Sequence, residues 1–322
     1  LKLDPWIKAS EIAVATLRGR TSENVKSVIR DFESGENLKC TELLSAVATV
    51  ELNSGGRKKA KALFKDSLKR PNDNSVAQAE WAAQRLNLVV DPVVLNVPLS
   101  FEANSHYAYR SQKINDAINF AEQWRVDEPF ATRPVDTLCY LFSLEERYDE
   151  ARECASLMVS RNKQDIEAAL NLLFNRIMTG DLEVALADYE KLGNHSDLKL
   201  YTTHYLANGG ALAYSLNDHE KGRELYMAAI KSARNKGEAN TEALARAYFA
   251  RMATCSGDPQ AKMIVSEAAQ LVPRLPSAGA IYVIQRLANQ RDKKELNKIA
   301  DKRVAKPEWH WDALTNTLKQ LQ

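Results

Sequence analysis

Glycine and proline are scarce in this chain, at 12 and 10 of 322 residues, while alanine, leucine, lysine and glutamate are abundant. That balance sets aside turn-rich architectures and suits an all-helical protein. The four cysteines, Cys40, Cys139, Cys154 and Cys255, lie far apart with no C-x-x-C, which excludes a disulfide framework or a zinc knuckle and points to a reducing compartment. Cys139 and Cys154 fall in one helix pair, where buried, inert thiols are expected, because no histidine lies near in sequence to activate them. Histidines 106, 195, 204, 219 and 310 form no H-E-x-x-H and no H-x-x-x-H pair, so no metal site is expected. No serine sits in a nucleophile elbow, and no glycine-rich loop opens a helix to cradle phosphate. These absences argue for a chain without catalytic residues, metal or cofactor.

Long apolar runs are missing too. The longest, 88–97, is interrupted by Asp91 and Pro92, well short of the ~20 residues a membrane span needs. The opening stretch LKLDPWIKASEIAVATLRGR lacks the apolar core and small-residue cleavage site of a signal peptide, so a cytoplasmic location is expected. The chain starts at Leu1 rather than methionine, which leaves room for an effector domain outside it. Lys+Arg number 44 against 42 Asp+Glu, a formal net charge of +2, and no global attraction to nucleic acid or an anionic surface follows.

What the chain does have is a recurring helix pair. INDAINFAEQW, YDEARECASLMV and DLEVALADYEKL place Ala117, Ala151 and Ala185 at one point of three amphipathic segments, 34 residues apart. A small residue at that point lets two helix axes cross closely. The periodicity extends toward the amino terminus: a pair over 5–17 and 22–32, opened by Asp4 and Pro5, is followed by a pair over 43–52 and 57–68. In the second of these, Ala60 answers Val25 at a step of 35. Residues 75–87 read as a further helix with Trp81 on its apolar side. Residues 88–99, β-branched and carrying two prolines, are expected to form an ordered extended loop that packs on the array or meets another chain.

Helix pairs resume at 100–110 with 115–129, then 135–144 with 148–159, 166–178 with 182–192, and 200–216 with 220–233. In the last of these Gly222 takes the crossing point and Gly210 the matching small site. A pair over 241–254 and 259–271 makes Ala261 the counterpart of Ala117. A weaker pair covers 277–289 and 293–302, and a final helix over 304–322 offers Trp311, Leu314, Leu318 and Leu321 as an end cap.

Thirty-four residues is the length of one tetratricopeptide (TPR) unit, and the chain resembles TPR proteins over nearly its whole length. Val135, Leu138, Cys139 and Phe142, followed by Tyr148, Ala151 and Ala155, occupy the family's pattern in one unit. Leu172, Gly180, Ala185 and Tyr189 do so in the next, and Gly210, Tyr226 and Ala229 in the one after. Departures include Leu173 at a small-residue position, missing closing prolines and the break at 88–99. The resemblance implies a single all-α domain over 1–322, a right-handed α-α superhelix of about seven or eight helix hairpins. It also implies a binding scaffold or sensor of bacterial style whose concave face, lined by first helices, holds a protein or peptide and regulates an effector domain or subunit.

On that reading Arg133, Asp136 and Tyr140, then Glu167, Leu170, Phe174 and Ile177, then His204, Ala207 and Tyr214 project into the groove. They make an aromatic and apolar surface with a mixed-charge rim. Plain packing between hairpins is the alternative for Phe174 and Ile177.

A second reading uses the basic stretch 57–70, where Arg57, Lys58, Lys61, Lys65 and Lys69 share one side of a helix. They would track nucleic-acid phosphates or merely form a solvated face. The other basic stretch, RDKKELNKIADKR over 291–303, is compensated by its own acidic residues. A third reading is the sensor part of a larger protease or nuclease.

Overall fold

The computed structural model describes residues 4–20, 22–34 and 40–289. Among them the chain is all-helical, with sixteen α-helices, two 3-10 turns and no strand, and none of these helices is long and apolar enough to cross a membrane. The helices expected over 293–302 and 304–322, with the capping residues Trp311, Leu314, Leu318 and Leu321, lie outside the described residues, as does the charged stretch 291–303. After Pro129 the chain divides into two compact units.

The first unit holds α1 (Pro5–Leu17), α2 (Asn24–Glu33), α3 (Thr41–Asn53), α4 (Arg57–Ser67), α5 (Asp73–Leu86), α6 (Phe101–Arg110) and α7 (Ile114–Asp127). Asp4 caps α1, its carboxylate accepting from the Trp6 N–H at 2.8 Å with Pro5 in the first turn. Helix α3 packs on α1, α4 and α5, and α6 packs on α5 and α7. Ile12, Val28, Leu43, Val47, Leu63, Phe64 and Ala82 form the core between α1 and α5. Each large side chain so buried contributes ~1.5–3 kcal/mol relative to exposure.

Residues 88–99 are not simply extended. Asp91 accepts from the Val93 N–H at 2.9 Å and starts a 3-10 turn over Pro92–Asn96. Leu88 and Val90 join the core of α1 to α5, and Leu95 packs with Val76, Ala77 and Ala103. The Leu95 carbonyl accepts from Ser100 Oγ at 2.6 Å and from Asn104 Nδ2 at 3.1 Å, while Val89, Val93 and Leu99 stay exposed.

The second unit holds α8 (Arg133–Leu144), α9 (Tyr148–Arg161), α10 (Ile166–Thr179), α11 (Leu182–Gly193), α12 (Thr202–Ser215), α13 (His219–Lys236), α14 (Ala239–Ser256), α15 (Ala261–Leu271) and α16 (Ala278–Asn289). The hairpins of both units turn in one way. The residue two places before the second helix has a left-handed backbone: Gly55, Gln112, Glu146, Gly180 and Asn217, before α4, α7, α9, α11 and α13. Three residues past the first residue of those same helices stand Ala60, Ala117, Ala151, Ala185 and Gly222, and the four alanines are 0% exposed. The turn therefore delivers a small residue to each crossing in the same register.

The pair α14 and α15 breaks that register. Asp258 accepts from the Gln260 N–H at 2.8 Å and holds a longer turn, so α15 starts at Ala261 itself. Ala261 is only half-buried, the expected equivalence with Ala117 does not hold, and Ile264 is buried in its place. Asp258 also accepts from Tyr214 Oη at 2.9 Å and Arg223 Nη1 at 2.8 Å. Burial pushes this carboxyl up, but the bonds from Gln260, Tyr214 and Arg223 outweigh it and hold the carboxyl below the ordinary aspartate value.

Helices α8, α10, α12 and α14 pack each on the next, and α16 packs on both α14 and α8. Where the sequence leads one to expect an open trough, the inner helices of this unit close a circuit. The closure is polar. Tyr282 donates to Glu145, Arg286 reaches Glu145 at 2.7 Å and Glu146 at 3.1 Å, and buried Arg251 of α14 reaches Glu146 at 3.1 Å.

Candidate functional site: a cavity in the second unit

Within that circuit lies a cavity of about 290 Å³. Helix α8 contributes Asp136, Cys139, Tyr140 and Ser143, and α10 contributes Glu167, Leu170, Asn171, Phe174 and Asn175. Tyr201 and the helix it precedes, α12, add Thr203, His204, Ala207 and Asn208, with Tyr226 from α13 and Leu244 and Tyr248 from α14. These residues meet because 34 residues is close to one full hairpin. Tyr140, Phe174 and Asn208 occupy equivalent places on three successive first helices, as do Asp136, Leu170 and His204.

The base of the site is fixed by buried amides. Asn175 Nδ2 donates to the Asn171 carbonyl at 2.8 Å, and its Oδ1 accepts from Ser143 Oγ at 3.1 Å. Asn208 Nδ2 donates to the Leu170 carbonyl at 2.9 Å. These bonds tie α8 to α10 and α10 to α12. Phe174 stands edge-to-face with Tyr248 at 5.2 Å between centroids, and with Tyr148 at 6.1 Å, a geometry the ring quadrupoles favour.

The rim is acidic. Asp136 is exposed, yet the crowding of neighbouring atoms around it, with the charges of Glu167 and Asp165, pushes its carboxyl up to about 6. Desolvation lowers the pKa of His204 against the opposing pull of Glu167 and Glu238, with Lys236 adding to the lowering, so its imidazole is neutral at pH 7. Burial drives the Cys139 thiol well up, with Cys154 and Asp136 adding to it, which keeps the sulfur protonated and inert.

Of the residues expected in the groove, Asp136, Tyr140, Glu167, Leu170, Phe174, His204 and Ala207 line this cavity. Arg133, Ile177 and Tyr214 do not. Arg133 is exposed at the start of α8, Ile177 is buried, and Tyr214 is buried against Tyr226 and Phe249 with its hydroxyl on Asp258. Tyr214 lies 34 residues after Gly180, a turn position, so its step in the repeat does not correspond to a lining site. The same step identifies two lining residues that sequence reasoning passed over: Tyr201 follows Glu167, and Asn208 follows Phe174, by 34. Tyr248 carried no such signal, because the longer α13 and α14 shift the spacing.

The basic helix α4 is partly engaged elsewhere. Arg57 donates to the Arg85 carbonyl and Lys61 to the Asn87 carbonyl at 2.6 Å, so both cap the end of α5, while Lys69 pairs with Asp66. Lys58 and Lys65 are exposed. No group of metal-ligating side chains is assembled among the described residues. Compared with known proteins, the chain matches no family model and no curated protein.

Proposed function

We propose that the chain is a TPR-like helical repeat protein of the right-handed superhelical kind, acting as a non-catalytic scaffold or sensor. It holds an extended segment of a protein partner in the cavity of its second unit and through it regulates an effector domain or subunit. The observation that carries this reading is the cavity itself, where residues from successive first helices converge with aromatic rings beside buried amides. That composition anchors side chains rather than activating bonds, and the protonated Cys139 is no nucleophile. At about 290 Å³ the site accommodates a long side chain but not an α-helix ~10–12 Å across.

The test is selection of a random peptide library on the full chain, followed by comparison with Phe174→Ala. Peptides that bind the protein and lose at least tenfold in affinity on the variant support the reading, as expected for an aromatic anchor worth ~1.4 kcal/mol or more. Enrichment indifferent to Phe174→Ala, in a variant of native circular dichroism, overturns it.

A further inference from the structure

The cavity presents acceptors and negative charge in every direction that can be read. Asp136 and Glu167 stand on its rim, and among the described residues neither is in an ion pair. Asp165 adds its field to that of Glu167 at Asp136, and Asp165, Glu167 and Asp197 all act on Tyr201. Among the described lining residues there is no lysine or arginine. The nearby cations are already committed: Lys236 donates to the Leu200 carbonyl at 3.1 Å, and Arg251 is held by Glu146.

The amides repeat the bias independently. Asn175 is 1% exposed and Asn208 7%, and in each the NH₂ end is bonded to a protein carbonyl. That leaves the amide oxygens as the remaining hydrogen-bonding capacity. Asn208 Oδ1 has no hydrogen-bond partner among the described residues and belongs to a side chain that lines the cavity. Rings of Tyr140, Phe174 and Tyr248 complete the wall, and aromatic faces attract cations. A ligand that matches this lining is a donor without acceptors, positively charged, on a slender apolar stem.

We propose that the cavity takes the guanidinium or ammonium of an arginine or lysine side chain carried on an extended basic segment of a partner protein. The proposal rests on reading the cavity as a partner site and names the chemistry of the anchor. A protein segment is favoured over a free amine because the acidic surface runs past the cavity to Asp165 and Asp197, which a lone small cation leaves unused.

Fluorescence anisotropy with the full chain and a labelled (Ser-Arg)₄ peptide tests it, beside the citrulline and glutamate counterparts. Expected are binding of the arginine peptide, at least tenfold weaker binding of the neutral citrulline peptide, and none of the glutamate peptide. Glu167→Gln and Asp136→Asn should each weaken the arginine peptide at least threefold. Phe174→Ala, which changes no charge, should weaken it at least fivefold, and that separates the cavity from loose attraction to acidic surface.

Citrulline binding within twofold of arginine, or indifference to Phe174→Ala, overturns the proposal. Equal affinity for N-acetylarginine amide keeps the cation and overturns the protein segment. If library peptides depend on Phe174 but are neutral or acidic, the scaffold reading stands and the cationic anchor falls. If nothing depends on Phe174, both fall.

Discussion

Asp136 holds a charge that its surroundings disfavour. Its ordinary pKa near 3.8 is pushed to about 6 by desolvation first and then by Glu167 and Asp165. A carboxyl whose folded pKa is raised weakens the fold as pH climbs from the unfolded value toward the folded one, and the full penalty is present at pH 7. Because Asp136 is exposed, solvent screening reduces a two-unit shift to about 1 kcal/mol. Asp136→Asn should therefore stabilise the protein at pH 7 by about that much in urea titrations, with the gain vanishing below pH ~4. A stability difference that is flat from pH 4 to 7 refutes the cause given. Such an arrangement, costly to the fold and placed at a cavity, is characteristic of binding sites. Seven of the ten groove residues read from the sequence do meet here, since the apolar and polar stripes of first helices are readable at 34-residue spacing. The buried amides Asn175 and Asn208 were not, because nothing in a helical stripe tells a solvated asparagine from one bonded to the neighbouring helix.

At the scale of the helix pair, small residues decide the geometry. Gly210 of α12 faces Tyr226 of α13, and a Cβ there would lie 2.6 Å from Tyr226 Cδ2. Two effects compete in Gly210→Ala. Helix propensity gains ~1 kcal/mol, while overpacking costs ~1–3 kcal/mol. Overpacking should win, because Tyr226 is 1% exposed and stacked on Phe249 at 5.2 Å, so the ring has nowhere to go. The expected outcome is a net loss of about 1 kcal/mol and a lower thermal midpoint, with a smaller loss when the same change is made in a Tyr226→Leu background. A gain in stability would show that the ring yields. This level was the most legible one in the sequence: Ala60, Ala117, Ala151 and Ala185 are all fully buried where their spacing puts them. The slip at Ala261 came from a side chain, Asp258, that lengthens one turn through bonds to residues far along the chain, Tyr214 and Arg223, which no local pattern reveals.

For the whole of the second unit, the contact that periodicity does not foretell is the return of α16 to α8, across separations of about 140 residues. It is made by charge rather than by an apolar stripe, and it hinges on the turn at Glu145 and Glu146. Glu146 adopts a left-handed backbone, φ 65°, which costs a non-glycine residue ~1–2 kcal/mol, and its carboxylate meets both Arg251 and Arg286. The two arginines differ in what their loss leaves behind. Arg286→Ala removes the ties from α16 while Glu146 keeps Arg251, so the defect should stay local. Glu146→Gln strips the buried Arg251 of its partner, and an uncompensated buried charge costs ~3–5 kcal/mol throughout the unit. Hydrogen exchange distinguishes them. In Arg286→Ala the amides of α16 should exchange roughly ten times faster, the ~1.4 kcal/mol expected of a half-buried charged cluster, with α10 and α12 unchanged. In Glu146→Gln protection should fall in α10, α12 and α14 together. Equal loss of protection in α10 and α16 for Arg286→Ala would mean that the circuit closes as one cooperative body, with α16 unable to open while the cavity walls stay folded.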